Sequence, residues 1–139
     1  MVSEIVRFGV SLEKSLLDRF DTLIRARNYT NRSEAIRDLI REELVEEQWK
    51  QGGQVAGTVT LIYDHHQRDL LVRITDLQHD FQKVIISTQH IHLDHDHCLE
   101  IVAVRGAAGD VLRLAHSLRS IKGVRHGSLS MSSTGKEIK

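Results

Sequence analysis

The sequence predicts an α+β chain of two modules, a β-α-α module followed by a β-α-β-β-α-β module. Three observations predict this. Residues 4–12 alternate apolar and polar, and two helical patterns follow them. The adjacent glycines Gly52 and Gly53 then interrupt the chain. Beyond them, strand-like and helix-like runs succeed one another in a split order. The predicted boundaries are residues 1–50 for the first module, 51–54 for a glycine hinge, 55–131 for the second module and 132–139 for a polar tail.

In the first module Val6, Phe8, Val10 and Leu12 alternate with Arg7, Gly9 and Ser11. Period two describes a strand with one apolar face. Ser11 is placed to cap the helix that follows, whose stripe is Leu16, Leu17, Phe20, Leu23 and Ile24. Asn28 suits a left-handed stop. Asn31, with Glu34 three residues on, resembles a capping box opening a second helix, whose buried stripe is Ala35, Ile36, Leu39, Ile40 and Leu44. The single strand lacks a pairing partner in its own module, and an unpaired backbone is costly. Pairing with the same strand of a second chain solves this. The resulting two-stranded ribbon fits the major groove of B-DNA, with Arg7, Gly9 and Ser11 towards the bases.

This order and alternation resemble the ribbon-helix-helix repressors. The resemblance implies a dimeric DNA-binding module, with a phosphate held near Asn31, Arg32 and Ser33 at the start of the second helix. Net charge does not advertise such a partner, because 19 Lys and Arg balance 19 Asp and Glu. Any basic surface must come from how the charges are arranged.

In the second module residues 55–63 read as a strand, and 67–87 are helical in pattern through Leu70, Leu71, Ile74, Leu77, Phe81, Val84 and Ile85. Residues 89–93 and 98–105 read as strands flanking the polar turn 94–97. Residues 107–120 read as a helix and 123–131 as a last strand. The order is the ferredoxin-like split arrangement, which hosts many functions, so function must come from a site.

Nine histidines accompany one cysteine, and seven of them lie between His65 and His97. His90 and His92 share one face of their strand. Cys98 opens the next strand, opposite or diagonal to His92. Two imidazoles and a thiolate suit zinc, copper or nickel. His79 is the best fourth ligand, with His65, His66, His95 and His97 as rivals. A lone cysteine, no apolar run near the roughly 20 residues that span a bilayer, and no signal-peptide pattern predict a cytoplasmic protein with no membrane partner.

The segment 31–38, the block 90–100 and the ending 123–127 together resemble the nickel-responsive regulator family, NikR. The resemblance covers essentially the whole chain. It implies a homotetramer, in which two ribbon-helix-helix dimers flank a core of ACT-like domains, and repression of nickel uptake genes when Ni(II) is bound. It makes His90, His92 and Cys98 ligands from one chain and His79 the fourth ligand from another, in a planar site. It makes Arg7, Gly9 and Ser11 the base-reading positions. Glu34 and Asp38 match carboxylates that could hold a second cation, and Gln78 and Glu100 could orient the ligands. A regulator of this kind is not an enzyme. The alternatives are a metal store or chaperone, or a regulator responding to another divalent metal.

Overall fold

The computed structural model describes residues 2–138. They fall into two compact units that divide between Ile40 and Arg41.

The first unit holds helix α1 (Lys14–Ala26) and the first turns of helix α2 (Arg32–Lys50). Asn28 adopts φ 64° and ends α1. The amide of Tyr29 donates to Ile24 O and that of Asn28 to Arg25 O, each at 3.0 Å, which is the Schellman arrangement. Asn31 Oδ1 accepts from the Glu34 amide at 2.9 Å and caps α2. Ser11 does not cap α1. That helix begins at Lys14 after Glu13, with no side-chain cap.

The strand expected over residues 4–12 is not formed in the single chain, where residues 2–13 carry no helix or strand. A strand exists only through a ladder, and this unit offers no second segment to pair with. For the same reason the apolar stripes are incompletely covered. Ile24 and Ala35 are buried, but Leu16, Leu23, Leu39 and Ile40 remain 41–50% exposed.

The second unit is a four-stranded antiparallel sheet of β1 (Gln54–Asp64), β2 (Ile85–His92), β3 (His97–Ala107) and β4 (Val124–Ser132), in the order β2-β3-β1-β4. Helices α3 (Arg68–Asp80) and α4 (Ala108–Arg119) complete the β-α-β-β-α-β order. The core joins inward residues of the two central strands (Val59, Leu61, Val102 and Val104) to Leu70 and Ile74 of α3 and Val111, Leu114 and Leu118 of α4. The last turns of α2 add Val45 and Trp49 to it. Trp49 is buried, and its indole N–H donates to Ser132 O at 2.9 Å. Gly57 leaves room for that ring, since a Cβ there would lie 3.4 Å from Trp49 Cζ2 and 2.5 Å from Ser130 O.

The helix expected over 67–87 is shorter, because α3 ends at Asp80. Phe81, Val84 and Ile85 keep the helical spacing and do pack on the core. Val84-Ile85-Ile86 is β-branched, however, and finds a better use along β3. Arg105 N donates to Val84 O at 2.8 Å and Ile85 pairs with Val104.

The glycine pair ends α2 as expected. Gly52 has φ 75°, its amide donates to Trp49 O, and the Gly53 amide donates to Gln48 O at 3.0 Å. Gly53 O in turn accepts from Ala108 N at 2.9 Å. A pivot at this point must break those bonds. Beyond Ser132 the tail is tied back where Gln48 Nε2 donates to Glu137 Oε2 at 2.8 Å.

Candidate metal centre

Strand register assembles the cluster. β2 and β3 pair His90 with Glu100 and His92 with Cys98, and β1 pairs Tyr63 with Cys98. Residues directly opposite in an antiparallel pair share a face, so all five side chains project to the side where the helices pack. His90 Nε2 lies 3.0 Å from Cys98 Sγ, and His92 Nδ1 lies 3.7 Å from it. The two imidazole rings are 5.3 Å apart. Cys98 is fully buried, whereas the histidines face the open edge of the sheet.

Around this trio lies a set of polar positioning groups. Tyr63 Oη is 3.2 Å and Glu100 Oε1 3.7 Å from His90 Nδ1. Gln78 of α3 donates to Glu100 Oε2 at 2.9 Å, so the carboxylate is held from both sides. Burial, then the nearby Glu100 and Cys98 charges, push the Tyr63 hydroxyl well above its ordinary range and keep it a neutral donor. Burial likewise pushes the Cys98 thiol up, helped by the carboxylates of Glu100, Asp64 and Asp94. Without a cation beside it, this sulfur keeps its proton. If Cys98 donates to His90 Nε2, the His90 tautomer that goes with it is the one with Nδ1 as donor, facing Tyr63 and Glu100. Nε2 and Sγ are then the two lone pairs that a metal ion would take over.

His65 approaches from β1's end. Its ring lies edge-on to His92, with centroids 4.9 Å apart, and its donor atom is within 4.8 Å of those of His92 and Cys98. Burial and the neighbouring His66 and His92 lower its pKa, which favours the neutral, ligating form. Of the other rivals, His97 is bonded to Asp94 at 3.0 Å, and His66 and His95 meet on the outer side of the turn. His79, in the last turn of α3, is exposed and belongs to none of the clusters of metal-binding side chains among the described residues.

In the first unit Arg7, Gly9 and Ser11 are exposed, and a Cβ at Gly9 would meet nothing within 4 Å. Phe8, Val10 and Leu12 line an open groove with Leu17, Phe20 and Ile36, and Ser11 lines it beside them. Arg32 is engaged by Asp21 through two hydrogen bonds of 2.8 Å. Ser33 is exposed beside the groove. Glu34 is paired with Arg37, and Asp38 accepts from Tyr29 Oη at 2.7 Å.

Tyr63 is the site residue that sequence reasoning missed. Its signal was present, because it continues the inward alternation of Val59 and Leu61. What was lacking was the knowledge that β1 lies beside β3.

Residues 56–132, which contain the whole cluster, match the family described as the NikR C-terminal nickel-binding domain. Residues 6–47 match the ribbon-helix-helix proteins of the copG family. The chain belongs to the nickel-responsive regulator family. This NikR assignment extends over the full length. The chain is 64% identical to a protein described as a nickel-responsive regulator in Syntrophus aciditrophicus, over 97% of this chain and 98% of that one. It is 61% identical to one so described in Chlorobium phaeobacteroides, over 95% and 98%. An uncharacterized protein of Thermotoga maritima shares the fold alone, at 13% identity and a TM-score of 0.51, over 56% of this chain and 96% of that one. NikR proteins are transcriptional regulators and not enzymes, and their second module is the nickel-binding one. Among the described residues no helix is long and apolar enough to cross a membrane.

Proposed function

We propose that this NikR protein is a cytoplasmic repressor of nickel uptake genes. In this reading His90 Nε2, His92 Nδ1 and Cys98 Sγ hold Ni(II), and His79 of another chain completes a planar site. The observation that carries the proposal is the convergence of two imidazole nitrogens on one buried sulfur, at 3.0 and 3.7 Å. A thiolate with imidazoles is a donor set suited to nickel, copper or zinc and foreign to magnesium or calcium. Bound nickel would supply the charge that stabilises the thiolate, and its binding releases the Cys98 proton. Tyr63, Glu100 and Gln78 set the His90 tautomer and orientation, so that Nε2 points at the sulfur. His79 is solvent-facing in the single chain, as a ligand offered to a neighbouring subunit must be.

Residues 1–50 form the DNA-reading module, 51–54 the link, 55–131 the sensor and 132–139 the tail. Two copies pair their residues 4–12 as a ribbon, and two such dimers join through the sensors into a tetramer. Arg7, Gly9 and Ser11 then face the bases, while the α2 N-terminus at Asn31, Arg32 and Ser33 holds a phosphate. Nickel bridging two chains favours the arrangement in which both ribbons grip two half-sites, and only that differential affinity couples metal to operator. A second cation between Glu34 and Asp38 must displace Arg37 from the first and the Tyr29 hydroxyl from the second.

A gel-shift titration tests this reading. The wild-type chain binds operator DNA only with nickel, and Cys98→Ala and His79→Ala lose that dependence. Nickel-dependent binding retained in both variants contradicts it. Arg7→Ala weakens operator binding at unchanged nickel affinity, and an unchanged operator affinity excludes Arg7 from base reading.

A further inference from the structure

We propose that Asp21 sets how strongly this protein grips DNA, by cancelling the charge of Arg32 at the place where a phosphate is held. The inference rests on the proposed phosphate contact at the start of α2 and deepens it.

The fork between the two side chains uses one edge of the guanidinium. Arg32 Nε donates to Asp21 Oδ1 and Arg32 Nη2 to Asp21 Oδ2, both at 2.8 Å. A guanidinium carries its N–H donors in one plane, and those on the edge between Nη1 and Nη2 remain for another anion. Solvent reaches this residue, since the Arg32 side chain is 56% exposed against 26% for Asp21. Arg32 also opens α2, where Asn31 Oδ1 has already taken the Glu34 amide and the amides before it are left to other acceptors. A phosphate can therefore bind Arg32 without displacing Asp21. What it meets is a cation already neutralised.

The Asp21 carboxylate is ionised at neutral pH. Its pKa lies below the ordinary value, chiefly through the hydrogen bonds from Arg32, with help from the charges of Arg32 and Arg25. Arg25 is a close neighbour, because its Nε donates to the Asp21 carbonyl oxygen at 3.1 Å. Other cations of the first unit are matched in the same way, Lys14 with Asp18 at 2.7 Å and Arg37 with Glu34. Arg7, the proposed base reader, is exposed and has no carboxylate partner among the described residues. The backbone anchor is thus muted while the base reader keeps its full charge. Sequence-independent affinity comes from cations that release counterions from phosphates, and a guanidinium tied to a carboxylate adds no net charge to that exchange. A weak grip by one module makes binding depend on two modules engaging together. Asp21 thereby keeps the metal-free chain from covering DNA at random.

Fluorescence anisotropy tests the proposal, with the full-length, nickel-free chain titrated onto a labelled duplex of mixed sequence at a series of salt concentrations. Asp21→Asn removes the charge and keeps an acceptor for Arg32. It is expected to tighten binding about three- to tenfold at low salt. Affinity is also expected to fall more steeply with salt, the logarithmic slope growing by about one for each phosphate held. Combined with Arg32→Gln, the same change is expected to gain less than half as much, because the cation it releases is gone. Asp21→Ser serves if Asp21→Asn lowers the helix content. An affinity and slope in Asp21→Asn that match or fall below those of the wild type overturn the proposal, as does a gain undiminished by Arg32→Gln. Failure of the phosphate contact itself reads differently. Arg32→Gln then changes neither affinity nor slope, alone or combined with Asp21→Asn, and the proposal falls with the contact.

Discussion

At the scale of single residues, the proposed metal centre is framed by side chains outside its ligand set. Tyr63 and Glu100 bracket His90 Nδ1, and Gln78 steadies Glu100. Removing such a positioning group typically costs about 10- to 100-fold in metal affinity. Tyr63→Phe keeps the ring and loses the hydroxyl, so nickel affinity is expected to fall about tenfold in a competition titration with the melting temperature little changed. An unchanged affinity would leave the hydroxyl with no role. Gly57 is the structural counterpart. A Cβ there sits 2.5 Å from a backbone oxygen, which cannot swing away, so Gly57→Ala is expected to destabilise the second unit by about 1–3 kcal/mol. Thermal unfolding of the metal-free protein measures it. In the first unit Asp21 is held below the ordinary carboxylate value, chiefly by its hydrogen bonds from Arg32. A depressed carboxyl stabilises the fold above its unfolded value, 3.8, and that contribution is lost as pH falls through the lower folded value. An NMR titration is expected to place the Asp21 midpoint below 3.8, and Arg32→Ala to bring it back towards that value.

At the scale of elements, legibility followed the range of the interactions. The β2–β3 hairpin could be read because His90, His92 and Cys98 obey a period of two across a short turn, which local sequence carries. The end of α3 could not, because Phe81, Val84 and Ile85 fit the helical period and the ladder that claims Ile85 lies on β3, some twenty residues downstream. Tyr63 stayed hidden for the same reason, since its neighbour Cys98 is supplied by sheet order. The strand over residues 4–12 was legible as a pattern, and the single chain cannot make it. Its expected ladder lies between two copies, so the amides of residues 5–11 are expected to gain protection from hydrogen exchange as protein concentration rises through the dimer dissociation constant. Concentration-independent exchange would refute the ribbon. The last turns of α2 belong energetically to the sheet. Trp49→Ala removes a buried aromatic and leaves Ser132 O without its donor, at an expected cost of about 3–5 kcal/mol, read as a lower unfolding midpoint in urea.

At the scale of the whole molecule, the two units differ in how complete they are alone. The second has a closed core from β1 to α4. The first leaves Phe8 72%, Val10 64% and Ile40 50% exposed, which is far more apolar surface than a stable small unit tolerates. The candidate metal centre brings three donors together on one chain, while His79, its proposed fourth ligand, faces solvent. In the proposed assembly both deficits are met by more copies of the same chain, and that sharing would couple the ligand set to the DNA-reading module.

Subunit complementation tests this most directly. Cys98→Ala chains and His79→Ala chains, each unable to form the thiolate nickel band alone, are unfolded together, refolded and titrated with nickel. If His79 serves another chain, mixed assemblies contain sites built from His90, His92 and Cys98 of one variant and His79 of the other, and the band returns in part. If the mixture stays as silent as its components while wild-type chains carried through the same refolding regain the full band, the shared site does not exist and the account fails.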